Sequence, residues 1–520
     1  MIAADSQPRT VHYYARRAKV TQAIWGTLLL TVTGLVLYKL MFGYKGADPS
    51  YIAWTILLAS AVGIFYRPRY GLYFTLFFTL IGDMTLVWWY PFYKNFSSLE
   101  SIFYVNDSII ISPLEAFIAL TYLSWLVRGI RLRSLNFHAG TLFWPAIAFA
   151  LFMVFGLGWG LTHGGSMTIG LWEARPIFYL PAMLVLASNL LEKREHIHTL
   201  MWWIMAALFI EGIIGTYSFA VFLNFELGDI ESMTEHSAAI HMNTLFVLVA
   251  SSILYKVSKK KIIALILMVP PVFVLYIITQ RRASYIALVI ALGIMSYFLY
   301  RERRMLFWLL IPPAIVLGMV YLVVFWNNTG PAGMPAQAIK SVVATDQANA
   351  KDQRSNLYRD IENVNSQFTI RQVPLTGVGF GNKFYILVPM PDISFFEWWE
   401  YITHNSVIWI WMKTGIGGFF SLIFLVGMSL MTGVRSVLRM PSGELSAAAL
   451  TMLLYLVMHF VYAYVDMSWD TQSMVYVGTA MGLLNALERI VEKPVPTPFK
   501  RWKWEPEPTP APTIVPLPEY

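Results

Sequence analysis

Apolar runs of about 17 to 25 residues recur along the chain between short polar connections, and each is long enough to cross a bilayer as a helix. They begin near Ile24, Tyr51, Gly71, Ile109, Thr141, Pro176, Leu200, Ala238, Ile262, Ala283, Met305, Ser406, Glu444 and Thr471. The pattern predicts an all-α, polytopic membrane protein of about 12–14 transmembrane helices. One connection breaks the rhythm. From about Asn327 to Ile402, roughly 75 residues carry no spanning run, far above the usual connection length, and such a segment marks a functional loop. Residues 1–493 are expected to form the membrane domain. Residues 494–520 alternate Pro with other residues, which excludes a helix and predicts an extended or disordered tail. Its Lys500-Arg501-Trp502-Lys503-Trp504 stretch suits the inner leaflet, and a solvated linker with no role explains it equally well.

Charge gives the runs an orientation. Arg67 and Arg69; Arg128, Arg131 and Arg133; Lys193 and Arg194; Lys256 and Lys259 to Lys261; Arg301, Arg303 and Arg304; Arg435 and Arg439; and Arg489 and Lys493 fall on alternate connections. By the positive-inside rule both termini are cytoplasmic and the loop 327–402 is extracytoplasmic. Arg16, Arg17 and Lys19 precede the first run and Lys39 and Lys45 follow it, which reads as a retained anchor. Composition agrees: 57% of residues are hydrophobic and only 13% charged, which excludes a soluble globular domain. The net charge of +8 fits loops facing anionic lipid better than a nucleic-acid surface. The absence of cysteine excludes disulfides, thiolate metal sites and cysteine nucleophiles.

Candidate chemistry gathers around the long loop. Arg281 and Arg282 lie at the extracytoplasmic end of a hairpin, where the topological bias disfavours basic residues. Paired guanidinium groups there suit an anion such as phosphate; the plainer alternative is a snorkelling anchor or a bridge to a loop carboxylate. The loop offers two further candidate arginines, Arg354 and Arg359. Behind them Gly377, Gly379 and Gly381 form a flexible turn whose amides can face a substrate, although an ordinary tight turn needs no more than this. His404 and Asn405 stand at the mouth of the helix from Ser406. An imidazole there can act as a base, or it can merely cap the helix. Asp83, Glu115 and Glu211 fall inside spans, where acids are functional candidates by default and would also suit a transporter. His236 and His241, near Glu235, read as structural rather than as metal ligands. No Asp-x-Asp pair, serine elbow, P-loop or His-x-x-x-His pair is found.

Four of these features, in order, resemble the O-antigen ligase and O-antigen polymerase group of bacterial envelope glycosyltransferases. They are Thr279-Gln280-Arg281-Arg282-Ala283-Ser284; the loop arginine of Ser355-Asn356-Leu357-Tyr358-Arg359; Pro374-Leu375-Thr376-Gly377-Val378-Gly379-Phe380-Gly381; and His404-Asn405 followed by Gly415-Ile416-Gly417-Gly418. They span about residues 262 to 435. A weaker likeness lies in Trp172-Glu173-Ala174-Arg175-Pro176. The sequence departs from the group at Lys413, where many members are acidic, and in having two candidate loop arginines, of which spacing to Pro374 favours Arg359.

The resemblance implies transfer of a glycan from an undecaprenyl-diphosphate-linked donor to a glycan or lipid A-core acceptor on the outer face of the bacterial inner membrane, without cofactor or metal. In that scheme His404 takes the acceptor proton, and Arg282 and Arg359 stabilise the departing diphosphate. Arg281, Arg354, Asn405, Gly377, Gly379, Gly381 and Arg175 are expected to bind substrate. Polymerisation of repeat units by the same chemistry is the nearest alternative. A polysaccharide or lipid-linked oligosaccharide transporter is the rival from another class, and a partner acting through the tail on other polysaccharide-assembly proteins is a third.

Overall fold

A computed structural model describes residues 49–81, 92–133, 136–226, 233–235, 237–328, 330–347, 350–391 and 397–491, with scattered positions between 20 and 34. Asp83, His236 and the tail 494–520 lie outside the described residues, as does most of the expected first span. The described chain is helical and contains no strand. Eight of its helices are long and apolar enough to cross a membrane.

Each expected span from Tyr51 onward has its helix: α1 Pro49–Tyr66, α2 Arg69–Ile81, α3 Pro113–Leu132, α4 Phe143–Thr162, α5 Met167–Leu190, α6 Arg194–Val221, α7 Ala238–Leu254, α8 Lys259–Ile278, α9 Arg282–Glu302 and α10 Arg304–Phe325. After the long polar segment come α13 Ser406–Arg439, α14 Glu444–Val465 and α15 Thr471–Ile490. The boundary expected at Pro176 is moved. Helix α5 starts at Met167 and runs through Pro176 and Pro181, because a proline in a spanning helix removes one donor that neighbouring helices can compensate.

The long segment is not open loop. It folds into α11 Met334–Val343 and the polar helix α12 Ala350–Gln372. Neither is apolar enough to span, so the apolar-run criterion passes over both.

Successive helices reverse direction, and hydrogen bonds mark which termini share an end. At one end Lys261 Nζ meets Glu444 Oε1 and Oε2 at 2.7 Å each, Arg301 donates to the Leu438 carbonyl and Arg489 to that of Leu191. The other end carries Arg281, Arg282, α12 and His404. The basic connections of the sequence therefore collect at one end and the candidate chemistry at the other.

Candidate functional site

Helix α12 is the spine of the site. Its sequence is rich in straight-chain and amide residues and begins with Asp352 in the first turn, which favours a solvated helix. Asp352, Arg359 and Glu362 fall on one face at helical spacing, and Asp352 and Arg359 are about 10 Å apart along the axis at 1.5 Å per residue. Each reaches a different element. Asp352 Oδ2 lies 3.1 Å from Arg282 Nη1 at the start of α9. Arg359 Nη2 lies 3.4 Å from Oδ2 of Asp466, the residue that ends α14. Asp466 is itself held: Oδ2 accepts from the Tyr462 hydroxyl at 3.3 Å, Oδ1 from the Met467 amide at 2.9 Å, and its carbonyl from Ser406 at 3.1 Å.

Arg281, immediately before α9, faces the same neighbourhood, since it and Arg359 both bear electrostatically on Tyr462. The hairpin turn that presents it places Gln280 at φ 55°, and the Arg281 carbonyl accepts from Ser284 Oγ at 2.6 Å. Among the described residues, Arg281 Nε and Arg359 Nε are buried without a hydrogen-bond partner, and Arg282 Nη1 is buried with its ion pair to Asp352. Buried donors of this kind are costly, and three guanidinium groups in one place form an anion-binding environment.

Glu362 grips His404 twice. One carboxylate oxygen, Oε2, accepts from the His404 backbone amide at 2.8 Å and lies 2.9 Å from Nδ1. The Glu362 side chain is 4% exposed and that of His404 31%. An ionised carboxylate only accepts, so this contact puts the imidazole proton on Nδ1 and leaves the Nε2 lone pair free to take another. Tyr358 stands edge-on to the ring, with centroids 5.8 Å apart; burial, and then the Glu362 charge, push its hydroxyl pKa up. Asn405, not His404, caps the following helix: its Oδ1 accepts from the Ile408 amide at 3.1 Å. Its oxygen is committed to the fold.

The glycine turn is committed too. The amides of Gly377, Val378, Phe380 and Gly381 donate to Val373 O, Met412 O, Gly156 O and Glu173 Oε2 respectively. The amides of Gly377 and Gly381 thus face protein rather than substrate. The turn packs so closely on α4 that a Cβ on Gly379 would sit 2.3 Å from the Gly160 Cα. Helix α13 accommodates it by breaking at Gly415, which adopts φ 69° and ψ −173°. The break frees the Ile416 amide, which donates to the Pro374 carbonyl at 3.0 Å.

Lys413 explains its own departure from the sequence pattern. Its Nζ lies 2.7 Å from Glu173 Oε1 and 2.6 Å from the Asn382 carbonyl, with both side chains of the pair fully buried. Lysine at 413 is thus the counter-charge to Glu173 on α5, and the pair ties α5, the glycine turn and α13 together.

The remaining candidates lie elsewhere. Arg175 pairs with Glu115 and donates to Asn95 Oδ1 and the Ile110 carbonyl at 2.9 Å each. Glu115 also closes a capping box with Ser112 at the start of α3, so the two share a tethering role. Arg354 is exposed, about 140° around α12 from Arg359 at 3.6 residues per turn. Glu211 is buried within α6, and His241 is buried in α7 with Nε2 3.4 Å from Ser473 Oγ. Glu362, Asp466 and Asp352 were not singled out from the sequence. The one signal for Glu362 and Asp352 there is spacing, Arg359 and Glu362 being three apart and Asp352 seven before Arg359, and it becomes readable only once this segment is known to be a helix.

Fold and site together define a polytopic membrane protein with an arginine-lined, histidine-bearing site at one end of its bundle. Residues 263–423 match the model of the O-antigen ligase family. An O-antigen ligase of Salmonella typhimurium (strain LT2) is 26% identical over 179 residues, covering 31% of this chain. The match spans 43% of that relative's own length, less than half of it.

Proposed function

We propose that the protein transfers a glycan from an undecaprenyl-diphosphate-linked donor to an acceptor hydroxyl at the extracytoplasmic face of the bacterial inner membrane. The observation that carries this reading is the pair of hydrogen bonds that His404 donates to Glu362, on the same helical face that presents Arg359. The match of residues 263–423 to the O-antigen ligase family supports this reaction class. Basic connections at the opposite end support placing the site outside, with both termini in the cytoplasm.

In this scheme the acceptor oxygen attacks the anomeric carbon as its proton passes to His404 Nε2. The bond from that carbon to the diphosphate oxygen breaks, and the charge left on the diphosphate falls to Arg359, Arg282 and Arg281. Glu362 holds the tautomer and balances the imidazolium that forms, as the carboxylate of a serine-protease triad does. Asp352 and Asp466 hold the guanidinium groups apart and in place until the donor arrives. The scheme needs no metal.

The test is deletion of the gene followed by analysis of surface glycan and lipid-linked intermediates. Loss of capped lipopolysaccharide with persistence of long lipid-linked polymer supports ligation. Accumulation of single lipid-linked repeats identifies a polymerase of the same chemistry. No change in either pool, or lipid-linked glycan trapped on the cytoplasmic face, overturns the reading in favour of transport or another role.

A further inference from the structure

A cavity of about 550 Å³ opens at the end of the bundle opposite His404, between the starts of α6, α8 and α14 and the end of α7. Its volume lies within the span of small-ligand clefts, about 300–1,000 Å³. The chamber is apolar. Met201 and Met205 enter it from one face of α6, with Leu248 from α7, Leu265 from α8 and Ala448 from α14. Methionine side chains re-pack around flexible apolar chains, so this lining suits an acyl tail better than a rigid ring system.

The rim is polar and carries both signs. The two carboxylate oxygens of Glu444 each lie 2.7 Å from Lys261 Nζ, which also meets His198 Nε2 at 2.8 Å. That same nitrogen accepts from Trp202 Nε1 at 3.0 Å, so His198 is neutral with its proton on Nδ1. Arg194 and Glu195 complete the rim. A purely anionic headgroup here meets Glu444 and Glu195, and a purely cationic one meets Lys261 and Arg194. Lys261 and Glu444 already match each other, and a zwitterion is the headgroup that can exchange partners with that pair and leave neither sign unmatched.

We infer that this cavity binds a zwitterionic phospholipid of the phosphatidylethanolamine class, with an acyl chain in the methionine-lined chamber, the phosphate toward Lys261 and Arg194, and the ammonium toward Glu444. The site is separate from the arginine and histidine site, and its occupancy does not depend on the reading given to that site.

Native mass spectrometry of the full-length protein from mild detergent tests the inference, with phosphatidylethanolamine and phosphatidylglycerol titrated in turn. The wild type retains phosphatidylethanolamine at least tenfold more strongly. Ala448→Phe, which fills the chamber, loses that retention, and Glu444→Gln loses the preference while keeping the tail site. Arg359→Ala, at the opposite end, keeps both. Equal retention of the two lipids by the wild type overturns the zwitterion assignment. Unchanged retention in Ala448→Phe overturns the cavity as the site. If that variant does not fold, an unchanged lipid preference in Glu444→Gln overturns the inference by itself.

Discussion

Glu362 and His404 are joined twice through a single carboxylate oxygen, which accepts both the backbone amide and the ring Nδ1 of the histidine. Two bonds fix the position and the tautomer of one imidazole, which is more than a helix cap requires. If His404 is the base, His404→Ala lowers transfer by about 10²- to 10⁴-fold while donor binding persists. Glu362→Gln keeps the shape, but its amide can donate as well as accept and no longer balances an imidazolium; the loss is expected to approach that of the alanine variant. Turnover measured with purified lipid-diphosphate donor in detergent with excess chelator checks both. Full turnover in either variant refutes the base assignment, and loss of the wild-type rate to chelator refutes the metal-free scheme.

The two candidate arginines, Arg354 and Arg359, separate the face of α12 that meets Asp466 from its solvent face. Arg359 is half-buried against Asp466 and Arg354 is exposed. Arg359→Ala is expected to cost about 10- to 100-fold in kcat/KM, the worth of a hydrogen bond to a charged group. Arg359→Lys recovers little, because a point charge does not reproduce a planar fork. Arg354→Ala stays within about twofold, on the ordinary tolerance of exposed surface positions. Steady-state kinetics against donor concentration distinguish these outcomes, and a larger effect at Arg354 than at Arg359 would reverse the assignment.

The natural absence of cysteine makes topology directly measurable. Arg354→Cys, being exposed on α12, is expected to react with an impermeant maleimide in intact spheroplasts. Labelling that requires permeabilisation would put the site on the cytoplasmic side and remove the proposed reaction.

The helices were legible because a membrane span announces itself by length and apolarity, and each run from Tyr51 onward became a helix. His404, Arg282 and Arg359 were legible because charged or titratable groups stand out beside such runs. What the sequence hid depended on the fold of the polar segment. Glu362 and Asp352 share a face with Arg359 only because residues 350–372 are helical, and a polar helix lacks the apolar period that would reveal it. Asp466 comes from a helix end remote in sequence. For a related reason the sequence does not show that the Asn405 oxygen and the Gly377 and Gly381 amides are taken up by the fold: their partners are remote in sequence or depend on an adjoining helix. Lys413 departs from the sequence pattern, and its contact with Glu173 gives the departure a reason.

The glycine turn makes a steric prediction. Gly379 combines φ 82° with a would-be Cβ 2.3 Å from the Gly160 Cα, a backbone atom that cannot swing aside. Gly379→Ala is expected to reduce the folded yield severely, since the left-handed backbone alone costs roughly 1–2 kcal/mol and the overlap adds about 1–3 kcal/mol or more. Gly427→Ala is the control, because nothing lies within 4 Å of its added methyl group. Fluorescence-detected size exclusion compares the two, and a normal monodisperse peak for Gly379→Ala would mean that the turn is looser than its contacts imply.

The buried pair of Lys413 and Glu173 gives the last prediction. Both side chains are fully enclosed, so removing one leaves the other charged, desolvated and unmatched, at a cost of about 3–5 kcal/mol. Glu173→Gln and Lys413→Met are each expected to melt well below the wild type. The double variant removes both charges and is expected to recover much of the loss, since replacing a whole buried ion pair is often close to neutral. Recovery should be incomplete. Glu173 Oε2 also accepts from the Gly381 amide at 2.6 Å, and Lys413 also donates to the Asn382 carbonyl. A double-variant loss in melting temperature equal to the sum of the single losses would show that the two charges are not coupled, and that the glycine turn is held by its backbone bonds alone.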